Sequence, residues 1–170
     1  VKNNNKKFLD ACSAPGGKAF QILSRNNQVV LNDQSEKRIK ILNENLQRLN
    51  FKTKILNQDF SKFSLKEKFD FIIIDAPCSA IGTIRKNPEI FFKSEPPNFN
   101  KLNRLQENML VKASKLLNTD GLILYMVCSF LQNETIDQIN NFLNSRNNFV
   151  HYSFDLLSEN IKYSRFLNDN

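Results

Sequence analysis

The chain has 170 residues, of which 41% are hydrophobic and 24% charged, and its formal net charge is +7. This length and composition fit a single globular domain with a sizeable hydrophobic core. Three cysteines that are far apart and a single histidine, His151, argue against a zinc site, a disulfide framework and Ser-His or Cys-His catalysis. No apolar run approaches the ~20 residues that a membrane-spanning helix needs, and unpaired cysteines fit a reducing cytoplasm.

The first half of the chain alternates short apolar runs with helical patterns. Strands are predicted at residues 6–9, 28–31, 54–56 and 68–74, and helices at residues 18–25 and 35–50. Ser35 is the expected N-cap of the second helix, because its side chain can accept a hydrogen bond from the first helical turn. Acidic residues lie at or near the ends of the first three strands, at Asp10, Asp33 and Asp59.

The second half begins with residues 81–100, which contain Pro88, Pro96 and Pro97 and are predicted to be a long loop. Long ordered loops in compact domains usually carry function. Helices are predicted at residues 102–117 and 132–145, a fifth strand at residues 122–127 and a candidate sixth strand at residues 149–154. Alternating strands and helices with short connections predict an α/β fold with a doubly wound, mostly parallel sheet.

Residues 10–18, DACSAPGGK, form a glycine-rich turn between the first strand and the first helix. The turn matches neither the GxGxxG nor the P-loop spacing. Glycines let the backbone approach a ligand, and the N–H groups of such a turn favour an anionic group, such as the carboxylate of S-adenosylmethionine. Asp33 follows the next strand, where an acid would hold a ribose diol. Each acid alone also fits a solvated strand end, but three at successive strand ends favour a nucleoside cofactor.

Asp75, Cys78 and Cys128 follow the fourth and fifth strands, which are expected to be neighbours. C5 of cytosine is a poor nucleophile, but a thiolate that adds to C6 enables C5 to attack a methyl group. That reaction also needs a carboxyl group near N3 and an acceptor for the C5 proton. Lys18 could keep a thiolate charged. Cysteines are also common as small buried hydrophobes, and this alternative fits Cys12 better than the other two.

Three segments carry a resemblance to a known family: DACSAPGGK, DAPCSAIGTIRKNPEI at residues 75–90, and GLILYMVCSF at residues 121–130 followed by Asn133 and Glu134. Together with Leu105 and Gln106, which match the family's usual helix start, they resemble the RsmB/Sun family of RNA cytosine-C5 methyltransferases over roughly residues 8–143. The resemblance implies a class I, Rossmann-like fold and S-adenosylmethionine as the cofactor.

The resemblance also implies residue roles. Cys128 would attack C6, Cys78 would assist product release, and Asp75 would hold the cytosine beside the cofactor. The implied catalytic residues are Cys128, Cys78, Asp75 and Lys18. The implied cofactor-binding residues are Cys12, Ser13, Ala14, Pro15, Gly16, Gly17, Lys18, Asp33, Asp59 and Asp75. The implied RNA-binding residues are Arg85, Lys86, Asn87 and Pro88, and no metal is expected.

Alternatives remain open from the sequence. DNA cytosine-C5 methyltransferases use the cysteine of the proline-cysteine motif as the nucleophile, which would assign that role to Cys78. An amino-group methyltransferase would show an Asn/Asp-Pro-Pro-aromatic turn, which residues 75–78 do not match. A non-catalytic RNA-binding or ribosome-assembly factor with a relic pocket is the alternative from another class. The basic net charge favours a nucleic-acid partner but equally fits solvated lysines.

The chain departs from the family pattern at Val127, where the family usually has Thr. It also begins almost at the first strand and stops before the family's final Gly-Phe-Phe strand. The resemblance therefore implies that residues 1–170 form a single catalytic domain truncated at both ends. It also favours ribosomal RNA over transfer RNA as the substrate. We expect a cytoplasmic monomer that needs neither a membrane nor a metal.

Overall fold

The structure, a computed structural model, describes residues 6–92 and 95–152. Its strands there are β1 (Lys7–Asp10), β2 (Gln28–Asn32), β3 (Lys54–Leu56), β4 (Phe69–Asp75) and β5 (Leu117–Met126). Its α-helices there are α1 (Gly17–Leu23), α2 (Glu36–Arg48), α3 (Phe99–Leu116) and α4 (Ile136–Asn144). The strands form one parallel sheet in the order β3-β2-β1-β4-β5. The predicted doubly wound, Rossmann-like sheet is therefore confirmed.

The middle of the sheet is apolar on both faces. On β4, Ile72 and Ile74 pack into a cluster with α3 residues such as Leu110. Ile73 belongs to a second cluster that includes Leu42 of α2. Because successive side chains of a strand point to opposite faces, these clusters lie on the two sides of the sheet. The nearly continuous apolar sequence of β4 is thus explained by burial on both faces.

The strand order reverses between β1 and β4. β1 pairs with β2 on one side and with β4 on the other, so that Asp10 is opposite both Leu31 and Ile73. In open parallel sheets, ligands bind outside the carboxyl ends of the strands at this reversal. The carboxyl edge of the sheet, where β1, β2, β4 and β5 end, is therefore where a functional site is expected.

The helix starts are set by local capping groups. Ser35 is the N-cap of α2 as predicted, and its side chain accepts a hydrogen bond from the Arg38 N–H. Asn98 caps α3 in the same way, through the Lys101 N–H. Within the described part of the chain, no helix is long and apolar enough to cross a membrane.

Two predicted segments differ in detail. The predicted helix at residues 132–145 is divided into a 3-10 helix at Gln132–Glu134 and α4, because Thr135 has non-helical angles of φ −119° and ψ −97°. The predicted loop at residues 81–100 contains 3-10 helices at Ile81–Thr83 and Pro88–Phe92. The predicted helix is thus interrupted, whereas the predicted loop is more ordered locally than its sequence pattern indicated.

The fifth strand is longer than predicted, and the sixth is wrong in the part that the structure describes. β5 begins at Leu117, and Asp120, which precedes the predicted strand at residues 122–127, lies inside it as an irregularity with a φ of 60°. A side chain at Gly121 would place its Cβ 2.9 Å from the Asp70 carbonyl oxygen, so glycine fits the register shift there. Residues 149–152 are not a strand, and residues 153 and 154 lie outside the described residues.

Candidate active site

The glycine-rich turn after β1 is shaped by one glycine and by contacts to the end of β2. Gly16 has a φ of 111°, which L side chains rarely adopt, and a Cβ atom there would lie 2.0 Å from the ring of Phe20. The Ser13 N–H and hydroxyl both donate to the Asn32 carbonyl, at 2.8 Å and 3.0 Å. Gly16 therefore permits the backbone conformation of the turn, and Ser13 holds the turn against β2.

Asp33 ties the turn to the start of α2. Its side chain is 2% exposed, and Oδ2 accepts the Ala14 N–H at 3.2 Å and pairs with Arg38 Nη1 at 3.4 Å. Its Oδ1 accepts the Ser35 N–H at 3.0 Å. Both carboxylate oxygens therefore already have partners within the protein. A carboxylate oxygen can accept two hydrogen bonds. Oδ2 already has two partners, so the remaining capacity of Asp33 for a ligand is at Oδ1.

Asp59 lies in the same cleft as Asp33. Its Oδ1 accepts the Ser61 N–H at 3.0 Å and the Ser61 hydroxyl at 2.7 Å, which caps the 3-10 helix at Phe60–Lys62. The hydrogen bond from the Ser61 hydroxyl is the main reason that the pKa of Asp59 is lowered. The other lining side chains are Cys12, Asn32, Gln34, Arg38, Gln58, Phe60, Ser61, Pro77, Leu105 and Met109. The cleft thus combines polar and apolar surfaces.

A second cleft adjoins the first, and Cys12 lines both. Across it, Lys18 Nζ at the start of α1 pairs with Asp75 Oδ2 at the end of β4, at 2.5 Å. The other lining residues are Asp10, Ser13, Ala14, Pro15 and Gly17. The structure therefore brings the predicted cofactor residues together at the strand-order reversal. Gly16 is the exception, because it lines neither cleft and packs beneath the turn.

Asp10 is a buried carboxyl group that the sequence analysis counted among the three strand-end acids but gave no role in the site. Burial raises the pKa of Asp10 to about 7, although the Cys12 N–H, 3.4 Å from Oδ1, and the charge of Lys18 both lower it. Burial likewise raises the pKa of the Cys12 thiol to about 12, so this thiol stays protonated at neutral pH. The available signal for Asp10 was its place at the end of an apolar strand and at the head of the turn.

The two cysteines that follow β4 and β5 lie together. Cys78 Sγ and Cys128 Sγ are 3.2 Å apart. The Gly82 N–H donates to the Cys128 carbonyl at 3.0 Å, and a Cβ atom at Gly82 would also lie 3.0 Å from that oxygen. Cys128 is exposed, whereas Cys78 is less so. Burial, and then the contact with Cys128, raise the pKa of Cys78 to about 11.

A buried polar group lies next to the two cysteine loops. Glu134 is 0% exposed and accepts hydrogen bonds from Ser79, which follows Cys78, and from Gln106 of α3. Glu134 and Gln106 both occur in segments that carried the family resemblance, but the sequence analysis gave them no role. The sequence motifs contain both residues, but their burial and their mutual hydrogen bond can be seen only in the tertiary structure.

The predicted RNA-binding residues Arg85, Lys86, Asn87 and Pro88 are all exposed. The N–H groups of Lys86 and Asn87 donate to the Thr83 carbonyl, at 2.8 Å and 2.9 Å. This turn follows Gly82, whose N–H is bound to the Cys128 carbonyl. The basic segment is therefore anchored to the loop that carries Cys128. In the described part of the chain, no three His, Cys, Asp or Glu side chains are grouped as metal ligands.

Comparison with known proteins identifies the family. The family model of the 16S rRNA methyltransferases RsmB/F matches residues 1–166. The chain belongs to the RsmB/F methyltransferase family. The ribosomal RNA small subunit methyltransferase B of Photorhabdus laumondii is 39% identical over 145 residues, which is 82% of this chain and 34% of that protein. The chain thus spans about a third of the length of this relative.

Solved structures of other proteins support the RsmB/F assignment. The crystal structure of PH0851 has a TM-score of 0.79 and 29% identity, and the match covers 89% of this chain and 34% of that one. NSun6 from Pyrococcus horikoshii, solved with SFG, has a TM-score of 0.74 and 27% identity, over 82% of this chain and 37% of that one. The resemblance that the sequence motifs indicated is therefore confirmed at the level of the family.

Proposed function

We propose that this chain carries the catalytic centre of an S-adenosylmethionine-dependent methyltransferase that forms 5-methylcytosine in RNA through a covalent bond between a cysteine and C6. The observation that carries the proposal is the pair of sulfurs, Cys78 Sγ and Cys128 Sγ, at 3.2 Å. The pair follows β4 and β5, and Asp75 and Pro77 of the cysteine-bearing loop also line the two adjoining clefts. A nucleophile and a proton-transfer group are thus close to a candidate cofactor cleft.

The lining residues of the two clefts fit S-adenosylmethionine by their chemistry. Lys18 offers a positive charge to the carboxylate of the cofactor, while Asp75 and Asp10 offer acceptors to its ammonium group. In the adjoining cleft, Asp33 would accept hydrogen bonds from the ribose hydroxyls, and Asp59 would border the adenine with the apolar Phe60 and Met109. When bound, S-adenosylmethionine supplies an activated methyl group to a carbon nucleophile.

Cys128 is the proposed nucleophile. Its exposure lets a cytosine reach Sγ, whereas the raised pKa of Cys78 keeps that sulfur protonated at neutral pH. The Cys128 thiolate forms a bond to C6, and the electron pair of the C5–C6 double bond moves to C5, where it is shared through C4 with N3. Asp75 would hold the cytosine at N3. This addition makes C5 nucleophilic, so that C5 can accept a methyl group.

Cys78 is the proposed group for release. After methyl transfer, the proton on C5 must be removed so that the C5–C6 double bond re-forms and the bond between C6 and the Cys128 sulfur breaks. Cys78 is protonated at neutral pH, so it must first give its own proton to water. The thiolate that results would then be a strong base for the C5 proton, because burial raises the pKa of Cys78 to about 11. Its contact with Cys128 Sγ puts it beside the sulfur that carries the ring.

RNA is the proposed substrate, with ribosomal RNA favoured over transfer RNA because the curated relatives carry the name ribosomal RNA small subunit methyltransferase B. The net charge of +7 and the exposed Arg85 and Lys86 beside the Cys128 loop support contact with phosphates. We expect the enzyme to act as a monomer, and its three cysteines fit a reducing cytoplasm. A non-catalytic RNA-binding factor with the same clefts is the alternative that the experiment below distinguishes.

The test uses RNA that contains 5-fluorocytosine, together with S-adenosylmethionine, followed by mass mapping of any covalent adduct. Fluorine at C5 cannot leave as a proton, so the bond between C6 and the cysteine sulfur should persist. We expect the adduct at Cys128. If cofactor binding is intact but no adduct forms, the chain by itself is a binding protein rather than the proposed enzyme.

Two variants assign the sulfurs. Cys78→Ala should accumulate adduct with ordinary cytosine RNA, because release is impaired while attack at C6 survives. Cys128→Ala should form no adduct with either RNA. If Cys128→Ala forms the adduct and Cys78→Ala does not, the two roles are reversed and Cys78 is the nucleophile.

A further inference from the structure

Glu134 is a carboxylate that the fold has removed completely from solvent. Its exposure is 0%, and its Oε1 accepts the Ser79 N–H at 2.8 Å and Gln106 Nε2 at 3.2 Å. Its Oε2 accepts the Ser79 hydroxyl at 2.5 Å, and the Ser129 hydroxyl in turn contacts the Ser79 hydroxyl at 3.3 Å. A buried charge is tolerated only when hydrogen bonds replace those to water. The neutral donors around Glu134 supply that replacement.

The two serine hydroxyls of this cluster come from the two cysteine loops. Ser79 directly follows Cys78, and Ser129 directly follows Cys128. Their hydroxyl oxygens are 3.3 Å apart, so the carboxylate holds the Cys78 loop directly and the Cys128 loop through the Ser79 hydroxyl. Cys78 and Cys128 are therefore each the immediate chain neighbour of a serine in the Glu134 cluster.

Hydrogen bonds to neighbouring elements hold the side-chain amide of Gln106 and the backbone carbonyl of Glu134 in place. Gln106 Nε2 donates to the Pro77 carbonyl at 2.9 Å as well as to Glu134, so both N–H groups of that amide are used. Tyr125 of β5 donates from its hydroxyl to the Glu134 carbonyl at 2.9 Å. As a result, Glu134 connects the Cys78 loop, the Cys128 loop, α3 and β5.

We propose, on the basis of the function proposed above, that Glu134 is a positioning residue that holds Cys78 and Cys128 at the mutual distance needed for attack and release. It acts through Ser79 and Ser129, and the exclusion of its carboxylate from solvent keeps it away from the RNA. The cluster of Glu134, Ser79, Ser129 and Gln106 is called the carboxylate clamp below.

The charge of Glu134 matters because a carboxylate only accepts hydrogen bonds. Burial raises the pKa of Glu134, but the hydrogen bonds from Ser129, Ser79 and Gln106 together lower it below its ordinary value. The group is therefore ionised at neutral pH, and all its donors must point inward. A glutamine of the same size would turn an N–H toward one of these donors, so Glu134→Gln should loosen the serine hydroxyls without removing volume.

The first experiment measures the geometry without catalysis. The oxidant diamide takes two electrons and two protons from neighbouring thiols, and mass mapping follows the rate at which a Cys78–Cys128 disulfide forms. With the sulfurs at 3.2 Å, the unaltered chain should cross-link rapidly. Glu134→Gln should cross-link about tenfold more slowly, because the Ser79 hydroxyl that joins the two loops is no longer held by a carboxylate. Glu134→Asp keeps the charge and should restore part of the rate.

A matched control separates positioning from general loosening of this segment. Gln138 is also buried, and its Nε2 donates to the Asn133 carbonyl at 3.1 Å, next to Glu134 but outside the carboxylate clamp. Gln138→Met should cross-link at the rate of the unaltered chain. If Gln138→Met slows cross-linking as much as Glu134→Gln, the role of Glu134 is merely structural and the proposal is overturned.

Ser129→Ala is a milder second variant that keeps the proposal testable if Glu134→Gln does not fold. It removes one donor of the carboxylate clamp and should slow cross-linking by about threefold. In the double variant with Glu134→Gln the two losses should not add, because both act through one contact. Cross-linking of Ser129→Ala at the unaltered rate would contradict the proposal.

The second experiment measures single-turnover adduct formation on 5-fluorocytosine RNA. Glu134→Gln should lower the maximal rate by about a hundredfold, while the affinities for RNA and for S-adenosylmethionine stay within about twofold. Equal rates in Glu134→Gln and the unaltered chain would overturn the proposal. If the unaltered chain forms no adduct, the proposed methyl transfer fails, and the cross-linking rates alone still decide whether Glu134 holds the cysteines together.

Discussion

At the scale of single residues, Asp10 shows how burial changes the chemistry of a side chain. In the folded chain, burial raises the pKa of Asp10 from its ordinary value of 3.8 to about 7. Between about pH 4 and pH 7 the native state therefore binds more protons at this site than the unfolded state does. Raising the pH through this window removes stability, by about 1.4 kcal/mol per pH unit at most for one group.

Asp10→Asn tests this pH dependence. An asparagine keeps an acceptor for the Cys12 N–H but has no proton to lose. The free energy of unfolding of the unaltered chain, minus that of Asp10→Asn, should therefore fall between about pH 4 and pH 7 and level off above it. Urea unfolding at a series of pH values measures the difference. A difference that is constant with pH would mean that Asp10 titrates normally in the folded chain.

Residue-scale prediction succeeded in placing side chains near one another where their position after a strand decides it. Cys78 and Cys128 were expected to meet because sequential strands are usually neighbours, and their sulfurs are 3.2 Å apart. Asp33 was expected to lie near a cofactor and does line the cleft, but its salt bridge with Arg38 was not foreseen. Glu134 could not be assigned, because a glutamate in a polar stretch gives no sign of complete burial.

At the scale of elements, the glycine-rich turn contains two adjacent glycines with different roles. Gly16 has a φ of 111°, and a Cβ there would overlap Phe20, whereas a Cβ at Gly17 would meet no atom within 4 Å. Gly16→Ala should therefore lower the free energy of unfolding by about 1–2 kcal/mol. Gly17→Ala should leave it unchanged or raise it by about 0.5 kcal/mol, because alanine favours the helix. Urea unfolding measures both, and equal losses would refute the distinction.

The elements themselves were predictable where an apolar pattern decides them. β4 was recognisable from its continuous apolar run, and α2 from its periodicity and Ser35 cap. The break at Thr135 was not, because nothing in the local sequence indicates its non-helical φ and ψ; the contacts of Glu134 just before it depend on distant residues. The early start of β5 likewise depends on the pairing of Leu117 with Phe69 across the sheet.

At the scale of the whole molecule, one edge of the sheet collects the clefts, the cysteines and a basic segment. The opposite, amino edge provides a comparison, because Lys115 is exposed in the last turn of α3, just before β5 begins. If only the carboxyl edge contacts RNA, positive charges at the two edges should contribute differently to binding, although both add equally to the net charge of +7.

The salt dependence of RNA binding tests this asymmetry. Each phosphate contact to a single strand adds about −0.7 to the slope of log K against log salt concentration. Lys86→Ala should therefore weaken binding and reduce the magnitude of the slope by about 0.7, because Lys86 lies beside the loop that carries Cys128. Lys115→Ala, with the same loss of charge, should change neither quantity. Equal effects of the two substitutions, measured by fluorescence anisotropy at several salt concentrations, would mean that RNA is attracted by net charge alone and that the basic segment is not its contact.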